Sequence, residues 1–255
     1  MKVLISNDDG ISASGIEFLK DELDKNHFVT TIAPHTERSS CGHGITLGEP
    51  LRVKEISKNT YSCSGFPADC ILIGLGHILK DDKPDVVVSG INHGANLGQD
   101  RYYSGTIAAA REATFRNIPA IAVSLVTINP KDIKHFDVAA EFITRLLGLG
   151  IHAIIPSMAL LNVNVPNLPW SKISGVKFTT PGIQKYTEEV IERIDGRGNQ
   201  YYWVGGTYEG YADIPGSDCV EVANGYITIN LQDLSGKEVE DKKTIEVFKE
   251  LLNKL

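Results

Sequence analysis

The stretch Asp85-Val86-Val87-Val88-Ser89-Gly90 does most to limit the folds open to this chain. Three consecutive β-branched residues are apolar on both sides of an extended backbone, so they predict a strand buried on both faces. The spacing on either side is helical. Residues 68–79, opened by Pro67, put Ile71, Leu72, Leu75, Ile78 and Leu79 on one face, and residues 107–115 carry the close-packing run Ala108-Ala109-Ala110. A doubly buried strand between helices belongs to a parallel sheet covered on both faces.

The same alternation runs through the first half of the chain. Residues 3–5 predict a short buried strand, and Ser14-x-x-Glu17 reads as a capping box opening a helix with Ile16, Leu19 and Leu23. A strand over 28–33 is closed by Pro34. Residues 51–56 alternate apolar and charged side chains, as a half-exposed strand does, and pair with 61–64 as a hairpin. Residues 119–126 form a further buried strand, and 136–149 an amphipathic helix ended by Gly150. Residues 1–150 therefore predict an α/β catalytic core: a doubly wound, Rossmann-like, mostly parallel sheet with helices on both faces.

The second half is patterned differently. Residues 160–165 predict one more core strand, but 176–210 mix Tyr, Trp, Gly and charges without helical period, as extended hairpins do. A strand over 225–231 and an amphipathic helix over 237–255, with Val239, Ile245, Phe248, Leu251 and Leu252, complete the chain. A hairpin arm plus a terminal helix has too little core to fold alone. Residues 151–255 are thus expected to hold the last core strands, an arm and a C-terminal helix, docked on the sheet or on a second subunit.

Composition removes several functions. A net charge of -7 leaves no basic field for a nucleic-acid polymer, although a small anion held locally remains possible. No run of about 18 apolar residues is present, so no membrane span is expected. Cys41, Cys63, Cys70 and Cys219 form no Cys-x-x-Cys pair and no metal-ligand spacing, and no secretory leader is evident. The expectation is a cytoplasmic protein with reduced, buried thiols.

The chemistry gathers where strands end. The first strand runs into Asn7-Asp8-Asp9-Gly10, and adjacent acids converge only if the chain has already turned, which Gly10 permits. Crowded carboxylates are hard to desolvate unless a cation offsets them, although a solvated Asx-type turn is the commoner reading of such a string in isolation. Ser39 lies in the long polar loop after the second strand, and Asn92 follows the Val86-Val87-Val88 strand. Taken singly, Ser39 reads as a turn hydroxyl and Asn92 and Asn96 as loop amides. In an open α/β sheet, however, ligands bind beyond the carboxyl ends of the strands near the point where strand order reverses. There Asp8, Asp9, Ser39 and Asn92 form an all-oxygen set that favours Mg²⁺ or Mn²⁺ over zinc or copper. Ser104-Gly105-Thr106 opens a helix whose exposed amides and hydroxyls suit a phosphate, with a simple N-cap as the plainer reading of Ser104.

Several longer strings resemble one family. They are Asn7-Asp8-Asp9-Gly10, Ala33-Pro34 followed by Ser39, Gly42-His43 and Ile45-Thr46, then Pro84 through Asn92, and Tyr103-Ser104-Gly105-Thr106 with Ala108-Ala109-Ala110. Together with Tyr202-Trp203 and Gly216-Ser217-Asp218 they look like the stationary-phase survival protein SurE family, over nearly the whole chain. One departure is Ser40-Cys41, where a glycine often follows the serine. The resemblance implies a metal-dependent 5'-nucleotidase acting on nucleoside monophosphates, some members also trimming short polyphosphate. It implies one divalent cation per subunit on Asp8, Asp9, Ser39 and Asn92, and phosphate contacts at Asn96, Ser104, Gly105 and Thr106. It also implies a homodimer or homotetramer that exchanges the arm and terminal helix.

The expected mechanism is hydrolysis by a metal-activated water, with Asp8 or Asp9 accepting its proton. A thiol phosphatase needs arginine six positions after its cysteine, and positions 47, 69 and 76 hold Leu47, Asp69 and Gly76. An aspartyl-phosphate route of the haloacid-dehalogenase type needs acids two apart, and here they are adjacent. His43 is a weaker candidate for a general acid. The alternatives are a non-catalytic nucleotide-sensing module on the same fold and a metal-dependent hydrolase of another bond.

Overall fold

The computed structural model describes residues 1–127, 131–187 and 189–236. The helix expected over 237–255 lies outside the described residues.

Within the first half the elements are β1 (Lys2–Ser6), α1 (Ser14–Leu23), β2 (Phe28–Pro34), β3 (Val53–Ser57), β4 (Thr60–Cys63), α2 (Pro67–Ile73), β5 (Val86–His93), α3 (Gly105–Phe115), β6 (Ala120–Val126) and α4 (Phe136–Gly148). The second half adds β7 (Ala159–Pro166), β8 (Gly175–Phe178), β9 (Gln184–Tyr186), β10 (Glu189–Ile194), β11 (Gln200–Gly205), β12 (Tyr208–Tyr211), α5 (Asp218–Ala223) and β13 (Tyr226–Asp233). Among the described residues one sheet runs in the order β3-β4-β2-β1-β5-β6-β7-β13-β8. The steps from β4 through β7 are parallel, while β3 pairs antiparallel with β4 and β13 antiparallel with β7.

Strand β1 shows why the sheet holds together. Its alternate residues point to opposite faces. Val3 and Ile5 pack with Ile16, Leu19, Phe142 and Ile143 beneath α1 and α4, whereas Leu4 packs with Ile71, Ile107 and Ala110 beneath α2 and α3. Burial on both faces is the reason this segment needs no polar alternation. The chain leaves β1 toward β2 on one side and returns as β5 on the other, so strand order reverses between β1 and β5.

Local details differ from the sequence reading. The Ser14 capping box does not form: Ala13 is the N-cap of α1 and no side chain caps it, because the helix has already begun at Ser14. The helix expected over 68–79 is α-helical only to Ile73 and continues as a π-turn over Gly74–Ile78. Two flexible glycines, Gly74 and Gly76, weaken the α register there. Val176 belongs to β8, which joins the main sheet beside β13 instead of the arm. The arm itself is two small antiparallel pairs, β9 with β12 and β10 with β11, and every residue of β10 and β11 is exposed.

Candidate active site

Asp8 and Asp9 leave the carboxyl end of β1, and Asn92 lies near the end of β5, directly beside the reversal point. The turn that delivers the acids is closed by Asn7, whose side-chain oxygen accepts from the Gly10 amide at 3.2 Å and whose Nδ2 donates to the Gly10 carbonyl at 3.0 Å. Gly10 takes φ +102°, a conformation that L side chains rarely adopt.

Asp8 is buried under the start of α3. Its Oδ2 accepts from the Gly105 amide at 3.1 Å, and its Oδ1 accepts from the Thr106 hydroxyl. The positive end of the α3 dipole therefore faces this carboxylate. A Cβ at Gly105 would lie 2.7 Å from Asp8 Cβ and 2.8 Å from Cys41 Sγ, so only glycine lets helix, acid and loop meet here. The Arg38 amide donates to the Asp8 carbonyl at 2.7 Å, and the Gly42 amide to the Tyr103 carbonyl at 2.9 Å, which ties the loop after β2 to the same place.

Asp9 points toward β5, where its Oδ2 accepts from the His93 amide at 3.1 Å, one residue past Asn92. The Asn92 Nδ2 donates to the Gly94 carbonyl at 3.0 Å. Asp8, Asp9 and Asn92 are thus brought to one edge. Ser39 sits at its rim, exposed, with its hydroxyl donating to Glu37 Oε1 at 2.6 Å and no bond to either acid.

The electrostatics of this pair are unrelieved. Burial pushes Asp8 up from its ordinary value, against the Thr106 hydrogen bond. Burial and then the charge of Asp8 push Asp9 up to about 6. Among the described residues neither carboxylate has an ion-pair partner. Two crowded acids, one buried and one half-buried, without a cationic side chain are what a bound cation would compensate. No group of three or more His, Cys, Asp or Glu gathers among the described residues. The remaining oxygen donors would then be the hydroxyl of Ser39, the amide of Asn92 and water, a set suited to a hard divalent ion.

The residues expected to hold phosphate are placed less uniformly. Ser104 caps α3, its Oγ accepting from the Ile107 amide at 3.1 Å. The Gly105 amide and Thr106 hydroxyl are spent on Asp8, so the anion this helix start holds is a carboxylate. Asn96 is buried and turned toward β6 and β7: its Nδ2 donates to Ser124 Oγ at 2.8 Å, its amide to Asn164 Oδ1 at 2.9 Å, and its carbonyl accepts from Asn162 Nδ2 at 2.9 Å. No bond joins it to Asp8. His43 is turned to α3, its Nε2 lying 3.0 Å from Glu112 Oε2 and its ring stacked on Phe115. It fastens the loop.

Sequence reasoning overlooked this clamp of Ser124, Asn162 and Asn164. The signal is present in β7, where two amides at alternate positions interrupt the run Leu160-Asn162-Asn164 on a strand otherwise wholly apolar. Buried amides with one face in common require partners. Cys41 is a second omission. It is only partly buried, beside Asp8, and burial pushes its thiol up to about 11.

A doubly wound α/β sheet with paired carboxylates at its switch point, one of them set against a helix N-terminus, defines the class of this protein. The family described as survival protein SurE matches residues 3–188. Among curated relatives, the "5'-nucleotidase SurE" of Alkaliphilus metalliredigens is 47% identical over 234 residues, covering 90% of this chain and 91% of that protein. That of Geotalea uraniireducens is 44% identical over 229 residues, covering 90% and 91%. The crystal structure of the SurE protein from Aquifex aeolicus superposes with TM-score 0.84 at 35% identity, covering 98% of this chain and 100% of that one. The chain belongs to the survival protein SurE family.

Proposed function

We propose that this chain is a metal-dependent 5'-nucleotidase, a phosphomonoesterase converting nucleoside monophosphates to nucleoside and phosphate. The observation that carries the reading is the pair formed by buried Asp8 and half-buried Asp9 at the switch point, without an ion-pair partner and beside the first turn of α3. Relatives bearing the name 5'-nucleotidase cover nine-tenths of the chain and support it.

In this reading Asp8, Asp9, Ser39 and Asn92 hold one Mg²⁺ or Mn²⁺ per subunit, and Asn96, Ser104, Gly105 and Thr106 contact the phosphoryl group only by exchanging their present protein partners for it. When bound, such a cation offsets charge on phosphoryl oxygens and lowers the pKa of water. Asp9, whose carboxylate accepts a hydrogen bond from the His93 amide alone among the described residues, takes the proton of the attacking water in this reading. The water oxygen bonds to phosphorus, the ester P–O bond breaks, the departing 5'-oxygen takes a proton from solvent, and Asp9 returns its proton to solvent. The α3 dipole faces the site and favours the anionic product and substrate alike.

Residues 1–150 form the catalytic core in this account, and residues 151–255 supply the last core strands and a surface for a homodimer or homotetramer. The exposed apolar residues of the arm, Val190, Trp203 and Val204 among them, support that assembly. No helix among the described residues is long and apolar enough to cross a membrane. The four cysteines are free, which fits a reducing compartment such as the cytoplasm.

Phosphate release from AMP by the full chain tests the assignment. Release with Mn²⁺ is expected to vanish in EDTA and to fall about a hundredfold or more in Asp9→Asn. Tight AMP binding without turnover would favour a sensing module, and full activity in EDTA would end the metal-dependent reading.

A further inference from the structure

We infer that Asp69 and Glu112, two buried acids outside the Asp8–Asp9 pair, are positioning residues that hold the loop bearing Ser39 at the cation site. The inference rests on the metal-dependent reading for the role of Ser39. The loop, residues 35–52, runs from β2 to β3 without a helix or strand of its own. It has no ladder of backbone bonds to fix its course, so its geometry depends on what anchors it.

The anchors are carboxylates on α2 and α3. Asp69, 1% exposed, lies in the first turn of α2. Its Oδ1 accepts from the Thr46 amide at 3.0 Å, and its Oδ2 accepts from the Thr46 hydroxyl at 2.8 Å and from the Phe66 amide at 2.9 Å. Glu112, 4% exposed, lies two turns along α3. Its Oε2 is 3.0 Å from His43 Nε2, and its Oε1 accepts from Arg116 Nε at 2.9 Å. A buried carboxylate is costly unless bonded, and well-packed apolar residues would serve stability as well or better. What an acid supplies instead is a directional bond that fixes its partner's place. Here two acids on different helices each spend an oxygen on the same loop.

Backbone bonds put Ser39 inside this clasp. The Arg38 amide is tied to the Asp8 carbonyl and the Gly42 amide to the Tyr103 carbonyl, so Ser39, Ser40 and Cys41 lie between two tethered residues. The Arg38 side chain is seated as well, its Nη2 donating to the Ser64 carbonyl at 3.1 Å and its guanidinium 5.3 Å from the centre of the Phe66 ring. His43 and Thr46 hold the far side. The Ser39 hydroxyl bonds to Glu37 and to neither acid, so its distance from a cation is set by the anchors of the loop.

The test loosens the clasp from the loop side, combining Thr46→Val with His43→Phe in the full chain. Asp69 then keeps the Phe66 and Thr46 amides and Glu112 keeps Arg116, so both acids retain partners. Three quantities are measured on metal-free protein: the rate of trypsin cleavage after Arg38, by mass spectrometry, the Mn²⁺ affinity, by calorimetry, and the melting temperature. Cleavage is expected to quicken about tenfold or more and Mn²⁺ affinity to fall about fivefold or more, with melting close to wild type. Thr46→Val alone is expected to move both in the same direction, and Thr46→Ser, which keeps the hydroxyl, to leave both at wild-type values. A lowered melting temperature with cleavage and affinity unchanged would overturn the inference, as would faster cleavage with unchanged affinity or a wild-type chain that binds no Mn²⁺. Wild-type protein that binds Mn²⁺ and responds to the variants as expected, yet releases no phosphate from AMP, would keep the clasp and remove the phosphatase reading.

Discussion

Asp8 accepts two hydrogen bonds from the first turn of α3 and still has its proton affinity raised, because burial outweighs what the Gly105 amide and Thr106 hydroxyl supply. A single residue therefore carries both the cost of the site and its purpose. Gly105 is what makes the arrangement fit. In Gly105→Ala the new methyl would sit 2.7 Å from Asp8 Cβ and 2.8 Å from Cys41 Sγ, closer than such contacts ever come. The substitution should destabilise the fold by about 1–3 kcal/mol, the usual cost of overpacking, and should lower Mn²⁺-dependent AMP turnover about tenfold or more by displacing Asp8. Thermal melts and phosphate release measure the two effects, and wild-type values for both would mean that helix and acid are not held against each other. Ser40 belongs to the same scale. It takes φ +57°, a left-handed conformation that favours glycine, the residue that the family resemblance implies at this place.

At the scale of elements, the βαβ rhythm and the doubly buried strands β1 and β5 were legible because apolar run length and helical period are local properties of the chain. The acids at the end of β1 were legible for the same reason. What stayed hidden depends on partners distant in sequence: Asn96 meets Asn162 and Asn164, 66 and 68 residues away, and Thr106 meets Asp8 across 98. No periodicity encodes such pairs, so hydroxyls and amides that looked free for phosphate turned out to have protein partners. The arm shows the opposite case, since its mixed composition predicted hairpins without saying what they cover. Strands β10 and β11 expose Val190, Trp203 and Val204, with 66%, 64% and 83% of their surface accessible in the single chain. Exposed apolar area of this kind is expected to lie in an interface. Trp203→Asp should therefore shift sedimentation of the full chain toward the monomer, and a wild-type chain that already sediments as a monomer at micromolar concentration would contradict the role given to the arm.

For the whole molecule, the sheet places three consecutive features along one edge: the carboxylates after β1, the clamped Asn96 loop after β5, and the tyrosine-lined cavity beyond β6 and β7. The proposed function depends on the first of them. Calorimetric titration of the metal-free full chain with Mn²⁺, repeated on Asp8→Asn, tests that member most directly. One site per chain in the wild type, with affinity reduced about a hundredfold or more in the variant, is the predicted result. Binding of equal strength and stoichiometry in both proteins would contradict it.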